Sequence, residues 1–262
     1  MLKRTRKPYQ LSLSLTTVPK VSIIVANYER AQALEETVRS IVIQKYPNLE
    51  LIIIDNASRD MSVEVIKKYE NHIAHWVSEP DKGIYDAFNK GIKMSSGEWI
   101  YFIGSGDRLL DDSAIITALS AERDADLIYG NVYFHDYRSV YPGRLSKRRL
   151  VDQNICQQSI FYRSRLFEKF GMFEIKYPVL ADWVFNMRCF GHKSVRTRFV
   201  DEIIAFFEGG GRSATLAWTD VNFLQDKANL IKRYLGVYCW AYFVVKYRLH
   251  PRIRRTIYGS QK

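Results

Sequence analysis

An α/β fold, a mostly parallel sheet with helices on both faces, is the architecture this sequence predicts, and three observations predict it. Residues 21–130 alternate between short apolar runs and stretches whose apolar residues recur on one helical face. The apolar runs are continuous rather than alternating, as strands buried on both faces are. Composition is that of an ordinary globular chain, with 262 residues, 47% hydrophobic and 26% charged, long enough to bury a core without disulfide staples.

The elements follow in order. Residues 21–25 (VSIIV) read as a buried strand, followed by a helix with Leu34, Val38 and Ile41 on one face. Residues 51–54 form a second buried strand that ends at Asp55. Asp60 is placed to cap a helix carrying Val63, Ile66 and Tyr69. Residues 73–77 are a weaker third strand, 85–93 a helix, and 99–103 a fourth strand running into Ser105-Gly106-Asp107. A helix over 111–121 and a strand over 126–129 complete the first half. Strand–helix alternation of this kind implies a parallel sheet. Beyond residue 130 the pattern changes: a mixed aromatic and basic stretch over 131–150, helices over 165–170 (stopped by Gly171) and 181–190, strands over 195–200 and 203–207, and a helical segment over 219–249. The chain therefore divides into a basic N-terminal extension (1–19), a first half (20–130), a second half of the same domain (131–218) and a basic, aromatic C-terminal segment (219–262).

Charge is placed unevenly. The net charge is +11, but residues 1–20 hold five Lys and Arg and residues 227–262 hold nine, with no acid in either stretch. These 14 leave 25 of the 39 basic residues for the middle, against all 28 acidic ones. A nucleic-acid binder more often spreads its charge over a folded face, so no nucleic-acid partner is expected. Basic ends beside aromatic residues suit an anionic membrane surface. The three cysteines, Cys156, Cys189 and Cys239, form no CxxC and fit a reducing compartment. No secretory signal and no run of about 20 apolar residues is present, so a cytoplasmic location is expected, peripheral at the inner face of the plasma membrane if the C-terminal segment docks there.

In such a sheet ligands gather at the carboxyl ends of the strands. That rule brings together Ala26, Asn27, Tyr28 and Glu29, then Asp55 and Asn56, then Ser105, Gly106 and Asp107. Asp55 is suited to accept a bond from a nucleobase NH or a ribose hydroxyl, or it simply opens a turn. Asp107 is suited to a hard cation carrying phosphates, since Mg2+ and Mn2+ often take only one or two protein carboxylates; the alternative is a Gly-Asp turn. Lys82 and Gly83 put a cation and an open backbone just before a helix, where Asp86 and Asn89 share a face; a capped amphipathic helix would look the same. Asp182, at a helix start where the dipole favours the ionised carboxylate, suits a general base or a dipole-stabilising acid. Residues 208–213 form a Gly-rich loop containing Arg212 that can fold over a diphosphate. The P-loop, the GxGxxG fingerprint, zinc-protease histidine spacing and the GxSxG elbow are all absent.

In this order, segments 21–30, 54–58, 81–91, 97–107 and 181–183 resemble those of a family 2 glycosyltransferase with a GT-A fold, and the DKGIYDAFNKGI and SGD versions are similar to bacterial polysaccharide transferases of the colanic-acid type. The resemblance spans residues 20–215. It implies that Ala26, Tyr28 and Glu29 line a nucleotide pocket, that Asp55 contacts the base, and that Lys82, Asp86 and Asn89 flank the nucleotide-sugar. It also implies that Ser105 and Asp107 stand at the DxD metal motif, with Asp107 holding Mn2+ or Mg2+, and that Asp182 is the base. Two departures accompany it: Ser105 replaces the first Asp of DxD, and Gln157-Gln158-Ser159 stands where relatives often show His-Gln-Ser.

The implied reaction is an inverting single displacement. Asp182 takes the proton of an acceptor hydroxyl as its oxygen attacks the anomeric carbon of a nucleotide-sugar, UDP-sugar favoured, and the diphosphate leaves with help from Asp107's cation and Lys82 or Arg212. The acceptor would be a hydroxyl of a glycan or lipid-linked acceptor in bacterial surface polysaccharide synthesis. Ser105 keeps a second reading open, a catalytically inactive nucleotide-sugar-binding module. Residues 230–258, where Tyr and Trp interleave with Lys and Arg, either lie in a headgroup layer or pack as a helical pair on the domain.

Overall fold

The computed structural model describes residues 18–249, except 121–123, 137, 142 and 210–215. One nine-stranded sheet runs through them. Its left half holds β1 (Val21–Asn27), β2 (Leu49–Asp55), β3 (His75–Ser78) and β4 (Trp99–Gly104), all parallel, in the order β3-β2-β1-β4. Every residue of β1 is buried, which is why its sequence is unbroken apolar. The sheet continues through β8 (Ile160–Arg163), β6 (Leu127–Phe134), β9 (Thr197–Phe207) and β5 (Arg108–Leu109), with β7 (Ser139–Tyr141) beside β6. β8 turns antiparallel to β4 and β6, β9 runs parallel to β6, and β5 and β7 run against their neighbours. Six strands thus point one way and three the other, and the expected mostly parallel sheet is present.

Alternate residues of the central strands feed two cores. Ile24, Ile52, Ile54, Ile100 and Phe102 face one, under α3 (Ile84–Met94), α6 (Arg165–Phe170) and α7 (Ala181–Gly191). Ile23, Val25, Ile53, Tyr101 and Ile103 face the other, under α1 (Ala31–Val42), α2 (Ser62–Lys68) and α4 (Ala114–Leu119). Helices therefore cover both faces. Leu34, Val38 and Ile41 of α1 are buried as their spacing predicts.

Several boundaries move, each for a local reason. Asp60 does more than cap α2. It accepts from the Ser62 backbone N–H at 3.0 Å and also from Ala31 N–H at 2.8 Å, so one carboxylate serves the starts of α2 and α1. The helix expected over 111–121 starts only at Ala114, because Asp111 bonds the Ser113 N–H and hydroxyl and holds an open turn there. The two strands expected over 195–207 are one strand, β9, whose register against β6 shifts beside Gly130. A side chain at Gly130 would lie 2.8 Å from the Glu202 carbonyl, so only glycine lets the backbones approach this closely. After a short helix, α5 (Arg149–Asp152), and a 3-10 turn, Gln157–Ser159, the chain enters β8. The C-terminal helical stretch is two helices, α8 (Val221–Leu230) and α9 (Val237–Val244), separated at Gly236 with φ 93°. Phe223, Leu230, Ile231, Leu235, Cys239 and Phe243 bury themselves in the core shared with α3 and α7, so the pair packs on the domain. All three cysteines are free. No helix among the described residues is long and apolar enough to cross a membrane.

Candidate active site

Register aligns the ends of β1, β2 and β4: Asn27 stands opposite Asp55 and Ala26 opposite Gly104. Ser105 N–H donates to the Ala26 carbonyl at 3.0 Å and Asn56 N–H to the Asn27 carbonyl at 3.0 Å, which continues the alignment beyond the strands. The three segments selected by the strand-end rule therefore do meet on one edge.

At the β1–β2 end, Asp55 is fully buried and both its oxygens are engaged by the protein. Asn27 Nδ2 donates to Oδ1 at 2.7 Å, the Ser58 hydroxyl to Oδ1 at 2.6 Å and the Ser78 hydroxyl to Oδ2 at 2.6 Å. Asp55 thus orients the polar groups around it. Glu29 has a left-handed φ of 51° and accepts the Arg59 N–H at 3.0 Å, while its own N–H donates to Ser58 Oγ at 2.8 Å. This strained turn carries Tyr28, which is exposed. Ala26 is buried at the floor of the edge.

At the β4 end, Ser105 offers its carbonyl to Arg30 at 3.0 Å. Asp107 is buried, accepts from the Gln158 amide on Oδ2 and from the Glu208 backbone N–H on Oδ1 at 3.3 Å. Burial pushes its carboxyl up to about 7, although Gln158, the Glu208 N–H and Arg30 all favour the ion. Arg30 also pairs with Glu208 at 3.2 Å. Gly106, with φ 108°, passes so near that a side chain there would meet Glu208 Oε2 at 2.7 Å. Asp107 and Glu208 together offer oxygen donors only, the chemistry of a hard divalent ion that completes its shell with phosphate and water. No group of three or more metal-ligating side chains occurs among the described residues.

Asp182 lies in the first turn of α7 and is 7% exposed. Three donors hold it: the Tyr85 hydroxyl on Oδ1 at 2.7 Å, its neighbour Trp183 N–H on Oδ1 at 2.8 Å, and Asn154 Nδ2 on Oδ2 at 2.8 Å. Burial pushes its carboxyl up to about 6; the three hydrogen bonds keep it from rising further. It is therefore mostly ionised at neutral pH and still basic enough to take a proton.

The segment 154–158 joins these two carboxylates. Asn154 holds Asp182 and Gln158 holds Asp107, and between them Cys156 feels both: burial first, then the negative charges of Asp107 and Asp182, push its thiol above the ordinary range. Four residue steps reach at most about 14 Å, so one short segment contacts both carboxylates through its two amides.

The remaining expected residues divide. Lys82 is exposed ahead of α3; its N–H donates to Asp86 Oδ2 at 3.0 Å. Asn89 instead clamps the Phe173 backbone, donating to its carbonyl at 2.9 Å and accepting its N–H at 3.0 Å. Arg212 lies outside the described residues. Sequence reasoning assigned no role to Arg30, Tyr85, Asn154, Gln158 or Glu208. Arg30 and Tyr85 lie inside the quoted segments, Gln158 in Gln157-Gln158-Ser159 and Glu208 at the start of the Gly-rich loop; Asn154 carries no such signal.

Comparison with known proteins gives the family and the fold. The model of the family described as Glycosyl transferase family 2 matches residues 22–195. A PGL/p-HBAD biosynthesis glycosyltransferase of Mycobacterium tuberculosis is 35% identical over 217 residues, covering 79% of this chain and 83% of the relative. Glycosyltransferase GlyG of Streptococcus pneumoniae is 32% identical over 232 residues, covering 82% and 71%. Among solved structures, S. aureus TarS 1-349 in complex with UDP-GlcNAc superposes with TM-score 0.66 at 16% identity, over 91% of this chain and 78% of that one. The mannosyltransferase PcManGT of Pyrobaculum calidifontis, in complex with GDP-Man and Mn2+, gives 0.61 at 16% identity, over 97% and 72%. At such identities the structural likeness shows a shared fold, the GT-A fold expected from the sequence.

Proposed function

Because the chain belongs to glycosyl transferase family 2, we propose that this glycosyltransferase is an inverting enzyme. It moves a sugar from a nucleoside-diphosphate sugar, UDP-sugar favoured, to a hydroxyl of a glycan or lipid-linked acceptor in bacterial surface polysaccharide synthesis. The observation that supports this reading is the segment 154–158, whose Asn154 holds Asp182 and whose Gln158 holds Asp107; the reading takes Asp182 as the base and Asp107 as the acid facing the diphosphate. The UDP-GlcNAc and GDP-Man bound to proteins of like fold support the donor class.

In this reading residues 20–130 take the donor and 131–218 face the acceptor. Ala26, Tyr28 and Glu29 line the nucleotide pocket, and Asp55 acts on the base through Asn27, Ser58 and Ser78, which it orients. Lys82, Asp86 and Asn89 flank the donor from α3, Asn89 by fixing the Phe173 backbone. Asp182 accepts the proton of the acceptor hydroxyl while that oxygen bonds to the anomeric carbon and the carbon–oxygen bond to the diphosphate breaks. Arg30, Lys82 and Arg212 offset the charge on the departing diphosphate. Asp107, with Glu208 beside it and the Ser105 backbone next to both, would hold Mn2+ or Mg2+, whose chemistry there is neutralisation of diphosphate charge. A lipid-linked acceptor places the enzyme in the cytoplasm at the inner membrane face.

The test combines donor binding and turnover. One of a panel of UDP-, GDP- and dTDP-sugars should raise the melting temperature of both the wild type and Asp182→Asn. Transfer or donor hydrolysis should fall about 10²–10⁴-fold in the variant. Wild-type-like turnover by Asp182→Asn would remove Asp182 from the role. Donor binding without turnover by the wild type would favour the inactive-module reading.

A further inference from the structure

α9 is a surface helix with no polar side. Cys239 and Phe243 enter the core, and Trp240, Tyr242 and Val244 pack against its edge. The remaining arc, Val237, Tyr238, Ala241 and Val245, is exposed, Tyr238 to 94%, and Leu249 follows it at 68%. Val237, Ala241, Val245 and Leu249 recur every four residues, the spacing of one helical stripe. A surface helix ordinarily turns polar residues outward, so this stripe is an apolar face awaiting a cover.

Cations flank it. Arg148 lies over the Tyr242 ring at 5.3 Å, and Lys232 lies over the Trp240 ring at 5.1 Å. From Lys227 to the end of the sequence there are nine basic residues and no acid. Just before α9, a cleft of about 510 Å³ is lined by Lys169, Glu174, Arg188, His192, Arg233 and Tyr234. Glu174 pairs with Arg188, so Lys169 and Arg233 are left without an ion pair among the described residues, and the cleft is suited to a phosphate.

The geometry points to a docking face for an anionic phospholipid bilayer. The stripe of α9 lies at the acyl boundary, Arg148, Lys232 and Arg248 lie among headgroups, and the Lys169–Arg233 cleft takes one headgroup phosphate. Aromatic rings edged by cations are what the headgroup layer favours. Charge complementarity selects this occupant over a second copy of the chain, which would bring two basic faces together. The inference goes beyond the sugar-transfer reading and stands without it.

The experiment is co-sedimentation of the full chain with phosphatidylcholine vesicles and with vesicles that also contain phosphatidylglycerol. The wild type should bind the anionic vesicles, less so as salt rises. Val237→Asp with Val245→Asp should lower binding at least about tenfold, and Lys169→Gln with Arg233→Gln about tenfold. Near-UV circular dichroism and donor-induced melting shifts should match the wild type in both, which separates lost docking from lost folding. Absence of wild-type binding, or wild-type-like binding by both double variants, would overturn the proposal. So would a dimer in sedimentation velocity that Val237→Asp with Val245→Asp dissociates without vesicle binding by either protein. If inorganic phosphate raises the melting temperature, and Lys169→Gln with Arg233→Gln abolishes that shift while leaving vesicle binding intact, the headgroup role of the cleft is overturned in favour of a soluble phosphate.

Discussion

Asp182 shows how a single residue is tuned. Burial disfavours its charge, and the Tyr85 hydroxyl, the Trp183 N–H and Asn154 partly restore it, leaving the carboxyl at about 6. Burial, then the Asp182 charge, holds the Tyr85 phenol well above its ordinary range, so it stays a donor at any working pH. In its proposed role as base Asp182 must be ionised, so kcat/KM should rise with pH through about 6 and level off above it. A hydrogen bond to a charged group is worth about 1.5–3 kcal/mol, or about one to two pH units. Tyr85→Phe should therefore move the rising limb upward by about that much while donor affinity holds; an unmoved limb would show that the pair does not tune the base. Sequence could mark Asp182 as an acid at a helix start. It could not mark Tyr85, Asn154 or Gln158, because each reaches its carboxylate across 97, 28 or 51 residues of chain. Hydrophobic periodicity reports which face is buried, not which polar groups pair.

Elements bring these residues together by aligning strand ends, and Glu50 anchors the opposite ends. Its carboxylate on β2 accepts from Lys20 at 2.8 Å, the Ser22 hydroxyl of β1 at 2.5 Å and the Ser96 N–H ahead of β4 at 2.8 Å. Burial raises its pKa, but these donors outweigh burial and hold the carboxyl at about 2, below the ordinary 4.5. A depressed acid pKa contributes stability that is complete above about 4.5 and is lost as pH falls through about 2. Glu50→Gln should therefore lower stability by about 1–3 kcal/mol at pH 7, and the gap should close as pH falls from about 4.5 toward 2. A pH-independent gap would mean that the carboxylate's charge is not what holds the strands. The strands β1, β2 and β4 were legible because they are buried on both faces and unbroken in sequence. β9 was legible only in pieces, because the exposed pair Asp201 and Glu202 interrupts its apolar pattern where the register slips opposite Gly130. The segment 154–158 carries no apolar period; it is loop running into the 3-10 turn Gln157–Ser159, and its two amide contacts are what set it apart.

At the scale of the molecule, one sheet with two cores aligns the ends of β1, β2 and β4 on one edge, and the proposed reading brings the acids at 55, 107 and 182 to one donor there. The family resemblance implies that gathering; residue spacing alone could not, because it depends on where β8 and α7 return to the sheet. The C-terminal pair completes the core behind α7 and leaves α9's outer stripe apolar. The most direct measurement is a crystal structure of the full chain with the nucleoside-diphosphate sugar that most raises its melting temperature. The diphosphate should lie beside Asp107 and Arg30, with the anomeric carbon facing Asp182 across the segment 154–158. A sugar bound elsewhere, with Asp182 still enclosed by Tyr85 and Asn154 and remote from it, would contradict the account.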